Sequence, residues 1–289
     1  MACDHVDVPG GLGYPGGVQK QAPILFIGGL GGSGTRAVAG AVAGLGYFPG
    51  DCLNDSNDNL IFTELFKRPR WLRRGASDAA IIRRLQIFEW AMRRGVNLPT
   101  LLAAPNLWRF RCLQPNGLAG KPDAIGWMTK EPNCHIFADH ILKRWPDAMF
   151  LHVTRHPLDM AFSDNKGQLG NWAWMFDLVP SAFPAPEAAQ LEYWIRTQKR
   201  LDDLMSSYPG RIHPLNFDRF AEAPERELTA IVDVLNLDVP KERIRAAVSE
   251  VIRPDTIGRW RSRDLSIFSA EQLAFCAQAG WPIDQSDGT

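Results

Sequence analysis

The residues able to do chemistry gather in two short stretches of this 289-residue chain. The first is Gly28-Gly29-Leu30-Gly31-Gly32-Ser33-Gly34-Thr35-Arg36. Glycines let successive backbone N–H groups converge, so the chemistry is capture of an anion, a phosphate above all. The second is Arg155-His156-Pro157-Leu158-Asp159-Met160-Ala161-Phe162-Ser163. A guanidinium and a hydroxyl held near the end of a strand can grip one phosphate between them. Taken singly, Arg155 also reads as a structural salt-bridge residue and Ser163 as an ordinary helical serine.

Both stretches need a strand before them and a helix after them. The apolar run Ile24-Leu25-Phe26-Ile27 enters the glycine loop, and the Ala-rich run from Ala37 to Ala43 leaves it. The helix N-terminus then adds partial positive charge where an anion sits. Phe150-Leu151-His152-Val153-Thr154 reads as a buried strand leading to Arg155. Pro157 suits the first turn of the next helix, and Asp159 its positive end. The loop departs from the G-x-x-x-x-G-K-[ST] pattern of ATP and GTP sites. Gly29 and Gly34 keep the spacing, but Thr35 and Arg36 stand in place of the lysine and the metal-holding hydroxyl. Without them the γ-phosphate charge is poorly neutralised, so the loop reads as a phosphate cradle rather than a nucleoside triphosphate site. A glycine-rich turn with no ligand stays open on these residues alone.

Alternating strands and helices predict a parallel sheet with helices on both faces. Strands are expected at 24–29, 125–129, 149–154 and 211–217. Helices are expected at 36–45, 78–94, 134–144, 157–166, 187–206, 224–236, 240–251 and 269–279. The clearest helical stripe is Ile81, Leu85, Phe88 and Met92.

At its two anion motifs the chain resembles the PAPS-dependent sulfotransferases, whose donor is 3′-phosphoadenosine 5′-phosphosulfate. Ser33-Gly34-Thr35 is similar to that family's 5′-phosphosulfate core. Arg155, Pro157 and Ser163 match the spacing of its 3′-phosphate motif. In chain order, Lys130-Glu131-Pro132 resembles a Lys-x-Pro element. The segment from Leu215 to Phe220, with Pro224-Glu225 after it, resembles a late strand-and-helix segment. Ile257-Gly258-Arg259-Trp260-Arg261 resembles the Gly-Arg-Trp element that closes over the 3′-phosphate. The likeness spans about residues 22 to 265, with 50 to 125 unmatched. Many members carry a basic residue where this chain has Gly32, a second Thr where it has Arg36, and some a His where it has Pro132.

The resemblance implies an α/β three-layer sandwich with a central parallel sheet, like that of P-loop nucleotide kinases. It implies donor contacts from Gly31, Gly32, Ser33, Gly34, Thr35 and Arg36 on the 5′ side. Arg155, Ser163, Gly258, Arg259 and Arg261 would hold the 3′-phosphate. Lys130 would approach the transferring group. The base in carboxylate-using branches follows the phosphosulfate loop by a few tens of residues, a window holding Asp55, Asp58 and Glu64. Glu64 leads because a semi-apolar helical setting raises a carboxyl pKa, and Asp55 sits in a turn-like run. Glu131 and His135 remain open as neighbours of Lys130. The product is adenosine 3′,5′-bisphosphate (PAP), and no metal is needed. The acceptor is a hydroxyl or amine on a small molecule, glycan or lipid. The alternatives are a nucleotide or small-molecule kinase and a nucleotide-binding module without turnover.

Composition is compatible with this. Thirty-two basic residues balance 32 acidic ones, so no global field favours nucleic acid. The cysteines at 3, 52, 112, 134 and 276 are scattered, as expected of reduced thiols in a cytoplasmic protein. Residues 1–21 read as a flexible arm without a signal-peptide core, and 22–289 as one domain. No apolar run is long enough to span a bilayer. The stretch 67–94 holds nine Lys/Arg against Asp78 and Glu89: a surface for an anionic acceptor, or a solvated helix face. The aromatics of Asn171-Trp172-Ala173-Trp174-Met175-Phe176 and Phe183 read as an acceptor pocket wall or as a lid packed into the core. Oligomeric state leaves no trace in the sequence.

Overall fold

A computed structural model describes residues 22–112 and 114–283. The arm expected over 1–21, with Cys3, lies outside the described residues. Among the described residues five strands form one sheet: β1 (Leu25–Gly29), β2 (Tyr47–Phe48), β3 (Gly126–Lys130), β4 (Met149–Thr154) and β5 (Ile212–Asn216). Their order is β2-β3-β1-β4-β5, and every neighbouring pair is parallel. β1 is central, with β3 on one side and β4 on the other. The strand order reverses there, which opens a crevice beyond the carboxyl ends of these three strands.

The helices are α1 (Thr35–Gly44), α2 (Leu60–Phe66), α3 (Pro69–Arg73), α4 (Asp78–Arg94), α5 (Leu98–Ala103), α6 (Asn106–Arg109) and α7 (Ala138–Arg144). After β4 come α8 (Pro157–Ala161), α9 (Gly167–Trp172), α10 (Pro186–Ser207), α11 (Phe217–Glu222), α12 (Pro224–Val234), α13 (Lys241–Val248) and α14 (Ala270–Gln278). Successive strand side chains point to opposite faces, and the sheet sorts them into two cores. Leu25, Ile27, Leu151 and Val153 pack under α1, α12 and α13. Phe26, Trp127 and Phe150 pack against α2, α4, α7 and α10. The second core is aromatic: Phe26 stacks on Trp145 at 5.4 Å and Phe62 on Phe66 at 4.5 Å. Helix, sheet, helix is the three-layer architecture expected. No described helix is long and apolar enough to cross a membrane.

Helix α4 shows why its sequence was legible. Ser77 caps it by accepting from the Ala80 N–H, Asp78 sits in its first turn, and Arg93 and Arg94 in its last. Gly95, at φ 99°, stops it. Ile81, Leu85, Phe88 and Met92 are all buried.

Two expected helices differ. The segment expected as a helix over 134–144 begins as a 3₁₀ turn, Pro132–Phe137, before α7. The helix expected over 157–166 stops at Ala161, so Ser163 lies just past it. There the Ser163 hydroxyl accepts from the Asn165 N–H, and Asn165 accepts from the Gly167 N–H. Such side-chain-to-backbone bonds compete with helix continuation.

Candidate functional site

The loop from β1 to α1 is shaped by glycines. Gly32 and Gly34 have φ of 94°, a region L side chains rarely adopt. A Cβ on Gly34 would collide with the Phe217 ring, and one on Gly29 with the Val153 carbonyl. Helix α1 then starts from Gly34 with no side-chain cap. That leaves its first N–H groups for an anion. Ser33 and Thr35 are buried, and Ser33 Oγ has no hydrogen-bond partner. Arg36 is exposed on α1.

Arg155 follows β4 and is almost fully buried. Its Nη1 donates to the Gly32 carbonyl at 3.4 Å and its Nη2 to Thr256 Oγ1 at 2.9 Å. Asp159 and Asp218 lie 3.9 and 3.8 Å away, and Nε has no hydrogen-bond partner. Burial pulls the Arg155 pKa down while the two carboxylates push it up. Ser163 flanks the same glycine, since a Cβ on Gly32 would stand 3.6 Å from its Oγ. Arg155 and Ser163 therefore bracket the loop.

The late Gly-Arg-Trp segment is tied to this place by Asp159. Its carboxylate accepts from Gly258 N at 2.7 Å and from Trp260 N at 3.2 Å. Trp260 is buried and stacks on His156 at 4.8 Å. Arg259 is half-buried and close enough to lower the Arg155 pKa, whereas Arg261 is exposed over the Trp260 ring.

Lys130 ends β3, in register with Ile27 of β1. Its ammonium donates to Asp58 Oδ1 at 2.5 Å and to the Ser56 carbonyl at 2.8 Å. Asp58 is held in turn by Asn54, whose Nδ2 donates to Oδ2 at 3.0 Å. Beside Lys130, the fully buried Glu131 accepts from Asn133 Nδ2 at 2.8 Å and lies 3.7 Å from Lys67 Nζ. Burial raises the Glu131 pKa. The chain of contacts continues to the phosphate loop. Gln168 Nε2 donates to Asn133 Oδ1 at 2.7 Å, and its Oε1 accepts from Gly31 N at 2.6 Å.

Thus the structure brings together Gly31–Thr35, Arg155, Ser163 and the Gly258–Arg259 segment, with Lys130 on the neighbouring strand end. Of the carboxylates in the expected window, Asp58 is the one in contact with Lys130. Asp55 is exposed in the turn before it. Glu64 lies on α2, accepting from Asn106 Nδ2 at 2.8 Å and 3.8 Å from Arg68, on the wall of a cleft of about 910 Å³. His135 is buried, its pKa held well below the usual value by burial and by His152. Trp172 and Phe176 belong to the core, while Asn171 lines the cleft. Gln168, Asn133 and Thr256 were not singled out from sequence, and Asp159 was read only as an acid at a helix start, not as the anchor of the Gly258–Trp260 segment. Nothing local marks the first three, whereas a carboxylate four residues after Arg155 was a signal for Asp159.

Comparison with known proteins bears on the fold and the family. The chain is similar in structure to the sulfotransferase domain from the Synechococcus PCC 7002 olefin synthase. The identity is 18%, the TM-score 0.53, and the match covers 92% of this chain and 98% of that one. It is also similar to the sulfotransferase domain from the curacin biosynthetic pathway, at 14% identity and TM-score 0.51, over 92% of this chain and 100% of that one. At these identities the likeness concerns the fold. No curated protein matches the chain. A protein-family model described as the Sulfotransferase family matches residues 23–241, and the chain belongs to that family.

Proposed function

We propose that the protein transfers a sulfuryl group from PAPS to a hydroxyl or amine of an acceptor by in-line displacement. The observation that carries this is the placement of three charge-handling groups at the carboxyl ends of adjacent strands. These are the glycine loop after β1, Lys130 at the end of β3, and Arg155 after β4.

The residues present fit a donor with two separate anionic groups. Ser33 Oγ and Arg155 Nε are buried without hydrogen-bond partners, and the cradle at Gly34 leaves no room for a Cβ. PAPS, when bound, supplies an activated sulfuryl group and a bisphosphate leaving group. Gly31, Gly32, Ser33, Gly34, Thr35 and Arg36 bind the 5′ side, through backbone N–H groups and hydroxyls. Arg155 and Ser163 hold the 3′-phosphate, with Arg259 and Arg261 on the segment that Asp159 anchors. Lys130 places an ammonium where negative charge grows on the transferring oxygens. Asp58, in contact with that ammonium, takes the acceptor proton, and Glu64 orients the acceptor from the cleft wall. The free, buried Cys52, Cys112, Cys134 and Cys276 support a cytoplasmic setting.

The test is transfer of ³⁵S from labelled PAPS to a panel of phenols, sugars and amines. Label in an acceptor, lost in Lys130→Ala and Asp58→Asn, supports the assignment. Label transferred instead from γ-³²P-ATP with magnesium makes the protein a kinase. PAP binding without turnover on any acceptor makes it a binding module.

A further inference from the structure

The cleft that Glu64 lines is walled by Lys67, Arg68, Arg70, Arg73 and Arg74, five cations against a single carboxylate. Net charge over the whole chain is zero, so this is a local concentration rather than a basic protein. Two of the five are compensated internally, Lys67 by Glu131 and Arg68 by Glu64. Arg70, Arg73 and Arg74 have no ion-pair partner among the described residues, and all three are exposed. Arg70 stands three residues before Arg73 on α3 and four before Arg74 at the helix's C-terminal cap, close enough for the like charges to repel. Arg73 lies over the Trp174 ring at 5.3 Å, whereas Arg70 and Arg74 have neither an aromatic nor an ion-pair partner among the described residues. An anion in the cleft would offset the repulsion.

The cleft also adjoins the reaction site. Lys67 lies on its wall and reaches Glu131, which is next in sequence to Lys130. Gly170 and Asn171 line the cleft from α9, the helix whose Gln168 accepts from the Gly31 N–H of the phosphate loop. Trp71 adds an aromatic wall whose ring is braced by the Arg84 guanidinium 4.1 Å above it. A volume of about 910 Å³ admits a molecule the size of a sugar or larger.

We infer that this cleft binds the acceptor, and that the acceptor carries a carboxylate or phosphate group beside the hydroxyl or amine that receives the sulfuryl group. The inference rests on the sulfotransferase reading above. Arg70 and Arg74 take the anionic group, Trp71 packs on the acceptor's body, and the reacting group points toward Lys130 and Asp58.

The test is calorimetric titration of the full chain with saturating PAP, at low salt, using matched probes. One pair is 4-nitrophenyl β-D-glucuronide against the corresponding glucoside, which isolates a carboxylate. The other is glucose 6-phosphate against glucose, which isolates a phosphate. The charged member of at least one pair should bind about tenfold tighter or more than its neutral partner, the effect of a charge-assisted hydrogen bond. The pair that shows the preference identifies the anionic group. Arg70→Gln with Arg74→Gln should erase the preference while leaving PAP affinity unchanged. The charge-matched Arg83→Gln with Arg94→Gln, on α4 outside the cleft, should keep it. No preference in either pair, no binding by either charged probe, or a preference that survives Arg70→Gln with Arg74→Gln overturns the inference. Failure of PAP itself to bind falls on the donor assignment instead, and is read separately.

Discussion

Lys130 Nζ lies 2.5 Å from Asp58 Oδ1 across 72 residues of sequence, joining the end of β3 to the turn before α2. An ammonium 3% exposed is fixed against a carboxylate 15% exposed, beside the phosphate loop. In the proposed reaction the two divide the labour of charge stabilisation and proton removal. Lys130→Ala and Asp58→Asn should each lower kcat by about 10²-fold or more and leave PAP affinity within a few-fold. Single-turnover kinetics with labelled PAPS measures this, and a variant that keeps wild-type kcat removes that residue from the mechanism.

Asp159 should matter out of proportion to its distance from the chemistry. It is fully buried, accepts from Gly258 N and Trp260 N, and lies 3.9 Å from Arg155. Asp159→Ala strands two backbone donors and removes a counter-charge, so it should destabilise the fold by on the order of 2–4 kcal/mol. PAP should also bind at least about tenfold more weakly, because the Gly258–Arg259 segment loses its anchor. Urea unfolding and PAP titration measure the two effects. Unchanged PAP affinity in a folded variant would show that the segment has no part in the donor site.

Two glycines of the phosphate loop should answer alanine differently. Both have φ of 94°, so both pay roughly 1–2 kcal/mol of backbone strain. Gly32→Ala adds only ordinary contact with Ser163 Oγ at 3.6 Å, whereas Gly34→Ala drives a methyl into the Phe217 ring. Gly34→Ala should therefore cost roughly 1–3 kcal/mol more than Gly32→Ala. Denaturant midpoints at constant slope give the comparison, and equal losses would contradict the close approach of Phe217.

Stability should fall on mild acidification. Burial lowers the His152 pKa from 6.5 to about 4, and His135, facing it and Arg200, is held well below its usual value. Between those limits the unfolded chain binds protons that the folded chain refuses. The histidine contribution is complete above pH 6.5 and is lost as pH drops toward about 4. Glu131 works in the opposite sense, its raised pKa giving stability below 4.5 that is lost as pH rises through the raised value. The melting temperature should thus decline below pH 6.5, and His152→Gln should flatten the decline. An unchanged slope in that variant would remove His152 as its source.

Much of this architecture was legible because single local signals decided it. Ser77 and Gly95 bound α4 at the residues expected, and the apolar runs around Phe26 and Leu151 mark the two strands that carry the anion motifs. β2 is two residues long, α2 seven and α3 five, too short for periodicity to announce them. Helix α8 ends early because Ser163 and Asn165 turn their side chains onto the backbone, which no apolar pattern reveals. The same divide runs through the site. The spacing marked Arg155 and Ser163 as partners for one anion, and what the structure adds is that both lie beside Gly32. The pairing of Lys130 with Asp58 rather than with Asp55 or Glu64 depends on where a distant turn lands. So does the link from Gln168 to Gly31, across 137 residues. Tertiary placement decided these, and local sequence carries no mark of it.

The donor site is the claim on which the rest depends. Its most direct measurement is a thermal-shift titration of the full chain with adenosine 3′,5′-bisphosphate, set beside ATP with magnesium and AMP. A ligand that binds only the folded state raises its melting temperature by mass action. The bisphosphate alone should stabilise the wild-type protein, and Arg155→Ala should abolish the shift. Stabilisation by ATP with magnesium and none by the bisphosphate would contradict the sulfotransfer assignment.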